Sequence, residues 1–105
     1  MSTLKLPAQL RMVGARAAWA QMSPALRAEA AQVLAAAGRE VRLSAAPLTD
    51  FDSSALSLLL SAVRQCNEQG VSLKLDDAPA KLRELARVYG VAELLWAVPQ
   101  AAAGA

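Results

Sequence analysis

Short apolar runs open the chain, and longer stripes at helical spacing follow from residue 23 onward, separated by stretches that alternate. Residues 10–13 read as a short strand closed by Gly14, with an edge strand over residues 4–6 ahead of it that Pro7 ends. Ser23-Pro24 predicts a helix start, because serine can cap and proline is preset for the first turn. Leu26, Ala30, Val33, Leu34 and Ala37 then share one face up to Gly38. Residues 40–43 alternate, with Val41 and Leu43 on one side, and Pro47 lies in the loop that leads to Asp52. From Ser54 to Gln69 the residues Leu56, Leu59, Leu60, Val63 and Cys66 recur at helical spacing and Gly70 marks the stop, which predicts a central helix. Val71, Leu73 and Leu75 alternate with Ser72 and Lys74, a strand that must run parallel to its predecessor because a helix crosses between them. Asp77 is placed to cap a third helix carrying Leu82, Leu85, Ala86 and Tyr89, Gly90 ends it, and residues 91–96 add a short helical turn.

This order predicts a small α/β fold: a mixed sheet of about four strands with helices mainly on one face, containing a right-handed βαβ unit. With 105 residues and no repeat or linker, one domain over residues 1–98 is expected, followed by a frayed Ala-rich tail at 99–105. Hydrophobic residues make up 55% but aromatics only 4%, so the core should be built from Leu, Val and Ala.

Charge and chemistry narrow the function. A net charge of +2 with no basic block leaves little counterion release to drive nucleic-acid binding, so no nucleic-acid partner is expected. The chain has no histidine, which removes imidazole-activated nucleophiles, and a zinc site would have only Cys66 and carboxylates to draw on. The glycines stand singly at segment ends and form no phosphate-cradling loop, so neither metal nor cofactor is expected, and no enzyme activity. One cysteine and no signal-like opening point to the cytoplasm, and no apolar run approaches the roughly 18 residues that span a bilayer, so no direct membrane insertion is expected.

The loop Asp50 to Ala55 carries the most information. It falls at the carboxyl end of a strand and the amino end of the central helix, where free N–H groups and the helix dipole favour a carboxylate or a phosphate on Ser53. The same residues also make an ordinary N-cap, in which case Ser53→Ala would cost about 1 kcal/mol and change nothing else. Along the following helix, Ser54, Ser57, Leu58, Ser61 and Ala62 form a second face of mostly small side chains. It suits close approach by a partner, with Leu58 as an exposed apolar anchor and Arg64, Gln65 and Glu68 as a polar rim; a solvated serine-rich face is the alternative. Trp19 and Trp96 read as packing residues, Asp76-Asp77 as a turn and cap, Cys66 as a buried small hydrophobe, and Tyr89 as either core or docking surface.

Over residues 41–95 the chain resembles the STAS family: an apolar strand, an Asp followed by Ser or Thr, an apolar helix, a Gly-led strand and a final pair of short helices. Asp52-Ser53-Ser54-Ala55-Leu56 is similar to the Asp-Ser-Ser-Gly-Leu of anti-sigma-factor antagonists and to the Asp-Thr-Gly-Gly-Leu of the STAS subunit of Mla-type phospholipid transporters. The run from Lys81 to Val91, with Tyr89 in it, resembles the Mla branch more closely. Ala55 replaces a glycine usual in both branches, and the acidic first loop common in the family is here Gly14-Ala15-Arg16-Ala17-Ala18. The resemblance implies a non-catalytic subunit, cytoplasmic and peripheral to the inner membrane. Its implied partner is an ABC transporter ATPase, joined to a membrane permease in the assembled complex, and it would regulate or stabilise that ATPase. Asp52, Ser53, Ser54, Ser57, Leu58 and Ser61 would lie at the contact. The alternative branch implies an anti-sigma-factor kinase as partner and Ser53 as phosphoacceptor.

Overall fold

The computed structural model describes residues 4–96, so the tail expected at 99–105 lies outside the described residues. Strand β1 is Leu4–Lys5, β2 is Gln9–Leu10, β3 is Glu40–Ser44, β4 is Asp50–Phe51 and β5 is Ser72–Asp76. The helices are α1 at Met12–Ala35, α2 at Ser54–Glu68, α3 at Ala80–Val88 and α4 at Ala92–Leu95. The expected single mixed sheet is replaced by a three-stranded sheet in the order β1-β3-β5 and a two-stranded pair of β2 and β4, with every pairing parallel. Prolines explain the division. β1 runs beside β3 until Pro7 on one strand and the turn containing Pro47 on the other interrupt both ladders. The two chains resume side by side as β2 and β4, after Ala8 accepts the Thr49 and Asp50 N–H groups at 2.9 and 3.0 Å.

Val41 and Leu43 of β3 lie beside Leu73 and Leu75 of β5 and face the core, while Glu40, Arg42, Ser72 and Lys74 face outward and stay exposed. α1 packs on β3, α2 on β5, and the two helices pack on each other. The core between them is the expected aliphatic one: Leu10, Leu26, Val41, Leu43, Leu59 and Leu82 are fully buried with Ala30, Ala62 and Cys66 between them.

The first helix departs most from expectation. It begins at Met12, eleven residues before Ser23, and Pro24 lies inside it. Residues 10–13 are therefore a strand only at Leu10, and the presumed first loop 14–18 is the opening turns of α1. Alanine at 15, 17, 18 and 20 gives this stretch high helix propensity, and Met22, Leu26 and Ala30 bury on either side of the proline, offsetting the hydrogen bond it removes. Leu34 and Ala37, expected on the buried face, are exposed at the C-terminal end of that stripe.

The three long helices end alike. In each, an N–H two residues past the cap bonds to a carbonyl five residues back: Gly38 to Val33 (2.7 Å), Val71 to Cys66 (3.0 Å) and Val91 to Ala86 (2.9 Å). The left-handed residue that this closure needs is Gly70 in α2 and Gly90 in α3, as their positions in the sequence suggest. In α1 it is Ala37, at φ 64, and Gly38 is needed for space instead, since a Cβ there would lie 2.9 Å from the Val33 side chain. Asp77 does not cap α3: it is itself left-handed at φ 58, and Pro79 stands at the cap.

Candidate functional site

The parallel pair of β2 and β4 places two strand-to-helix junctions side by side, and α1 and α2 leave them in the same direction. Contacts between the helices advance in step, from Met12 with Asp52, to Ser23 with Gln65, to Arg27 with Gln69. Two positive helix ends therefore meet at one point. Asp52 occupies it. One carboxylate oxygen accepts the Met12 N–H at the start of α1 (3.1 Å) and the other accepts the Ser54 N–H at the start of α2 (2.8 Å). These two backbone donors hold the Asp52 carboxyl below the usual carboxylate range, with Arg11 adding to the effect.

Beside this clamp, Asp50 accepts from the Arg11 guanidinium at 2.6 Å and from Gln9 Nε2 at 2.9 Å, across the β2–β4 pair. The Arg11 hydrogen bond, supported by Gln9, lowers the Asp50 pKa and raises that of Arg11. Arg11 and Asp50 thus neutralise each other, while the Asp52 carboxylate is held by backbone donors. Ser53 stands at the N-cap position of α2 in αR conformation and makes no side-chain capping bond, because Asp52 has taken that task. Its half-buried hydroxyl is not committed to the helix end.

Of the residues expected at the contact, Asp52, Ser53 and Ser54 cluster at this junction, Ser57 is exposed one turn on, and Ser61 is half-buried beyond it. Leu58 is not an exposed anchor: it is only 4% accessible, and Ala62 is fully buried. The face they occupy is where α2 meets α1, a neighbour that an α1 starting at Ser23 would not have placed beside Leu58. Gln65 is likewise absent from the rim. It is buried, accepting the Ser23 hydroxyl at 2.7 Å and donating to the Ser23 carbonyl at 2.9 Å.

The exposed apolar residues at this junction are instead Met12 and Val13, at 75% and 95% accessibility. Asp52 ties Met12 directly to the turn that carries Ser53. Sequence periodicity hides them, because Leu10, Met12 and Val13 read together as strand; the usable signal was the alanine-rich stretch behind them.

Elsewhere, Tyr89 is exposed, which removes the core reading. Trp19 packs half-buried against the core, as does Trp96, whose ring lies 5.3 Å from the Arg83 guanidinium. Cys66 is buried and its thiol pKa is pushed up by burial, so it is an inert small hydrophobe. Asp76 pairs with Arg42 at 3.0 Å. Among the described residues no group of three or more His, Cys, Asp or Glu side chains could hold a metal ion, and no helix is long and apolar enough to cross a membrane.

Residues 7–96 match the family model for the MlaB STAS domain. No curated protein matches the chain.

Proposed function

The chain belongs to the MlaB-type STAS domain family, and from that membership we propose that it is a non-catalytic subunit that docks on the cytoplasmic ATPase of an Mla-type phospholipid transporter. The observation that carries the reading is the Asp52 clamp. It joins the starts of α1 and α2 and so brings the half-buried Ser53, exposed Met12 and Val13, and exposed Ser57 to one end of the helix pair. The surface there is mostly apolar and small-polar; beside it Arg11 is paired with Asp50, and the Asp52 carboxylate is held by two backbone N–H groups, which limits what these groups lose on desolvation against a partner. A subunit with no reacting group alters an ATPase only by binding one of its conformations more tightly than another, so stabilisation of an assembled state is the expected action.

The uncommitted Ser53 hydroxyl also favours a second reading, an antagonist of an anti-sigma factor that a kinase switches off by phosphorylating Ser53. The two differ in partner and not in surface.

Val13→Asp and Ser53→Glu place a carboxylate where a helix start tolerates it, so both variants should fold. Each should weaken the complex with the ATPase by about tenfold or more in a titration, since an interface anchor commonly carries that much. Folded variants that bind as tightly as the native chain would remove this surface from the contact.

A further inference from the structure

β5 is the last strand of its sheet, and no described strand lies on its outer side. Its ladder to β3 fixes which backbone groups remain free. The Ser72 N–H bonds to the Arg39 carbonyl at 2.8 Å and the Asp76 carbonyl accepts from Ala45 at 2.8 Å, so positions 72, 74 and 76 turn toward β3. Leu73 and Leu75 therefore turn their N–H and C=O groups outward. They border a groove of about 860 Å³ that Val63, Asp77, Glu93, Leu94 and Trp96 also line. Leu94 is well exposed there. An unpaired edge of this kind is a template for an added strand.

We infer that the β5 edge accepts an extended segment of a protein partner with an apolar–acidic–apolar alternation. The backbone of such a segment would pair with Leu73 and Leu75. Its two apolar side chains would fall on the face of Leu73 and Leu75, beside Leu94, and its acidic residue would fall opposite Lys74 on the outer face. A second copy of the chain fits badly. The antiparallel register that uses both outward residues pairs Leu73 with Leu75 of the other copy and sets Lys74 against Lys74. The edge shares no residue with the surface around Ser53, so this inference stands or falls independently of the proposed function.

The test uses the full isotopically labelled chain and two capped peptides, Thr-Val-Glu-Val-Thr and its Thr-Val-Lys-Val-Thr counterpart, followed by amide shifts and hydrogen exchange. Expected are shifts and slowed exchange at Leu73 and Leu75 with the glutamate peptide, and about threefold weaker binding of the lysine peptide. Lys74→Glu, a change at an exposed side chain, should reverse that order. Several results would overturn the inference: no response at Leu73 and Leu75, equal binding of the two peptides, or an order that Lys74→Glu leaves unchanged. Protection of these amides without peptide would also overturn it, assigning the edge to residues 97–105 if independent of concentration and to a second copy if it rises with concentration.

Discussion

Ala37 holds a left-handed conformation that costs an L-residue with a Cβ about 1 kcal/mol, and the closure of α1 depends on it. Ala37→Gly should therefore raise stability by about 1 kcal/mol in urea unfolding, while Gly38→Ala, driven into Val33, should lower it. Division of labour at the next junction is equally specific. Because Asp52 and not Ser53 caps α2, Ser53→Ala should leave the melting temperature nearly unchanged, whereas Asp52→Ala should lower it by freeing two helix starts at once. The Asp52 and Asp50 pKa values are depressed in the folded state, so the stability they contribute is fully present above the unfolded value of about 3.9. It is lost as pH falls below that through the lowered folded values. An acid titration of the melting temperature should show this loss below pH of about 4, with a shallower limb in Asp52→Ala.

At the scale of elements, α1 decides how the rest is read. Leu58 is buried on the face of α2 that carries Gln65, which bonds Ser23 of α1, so Leu58→Ala should cost about 2–4 kcal/mol in chemical denaturation and Leu58→Asp should unfold the domain. A folded Leu58→Asp chain would contradict the packing of α1 on α2. The second half of the fold was legible because local and tertiary signals agree there: the stripe of Leu56, Leu59, Val63 and Cys66, the stops at Gly70 and Gly90, and the alternation of Leu73 and Leu75 all survive in the structure. In the first half they conflict. Ser23-Pro24 is a good local start signal, yet the alanine propensity on one side and burial on both sides of Pro24 carry the helix through it. The turn at Asp52 and Ser53 was legible, but its second helix was not, because the bond from Met12 to Asp52 joins residues forty apart and leaves no local trace. The exchange of Leu58 for Met12 and Val13 as exposed apolar residues follows from that one displaced helix start.

For the whole molecule, the strand pair β2 and β4 gathers two parallel helices onto one carboxylate and turns the resulting surface outward, while the β5 edge lies open to a groove. Two helix starts held together by Asp52, with Arg11 paired to Asp50 beside them, offer one continuous surface on which a partner could dock. The most direct measurement is affinity purification of the tagged chain and of Val13→Asp from the cells that make it, in mild detergent, with the bound proteins identified by mass spectrometry. The account predicts an ABC transporter ATPase and its membrane permease with the native chain, both lost with the folded variant. Recovery of a small soluble kinase instead, or of the same ATPase with native chain and variant alike, would contradict it.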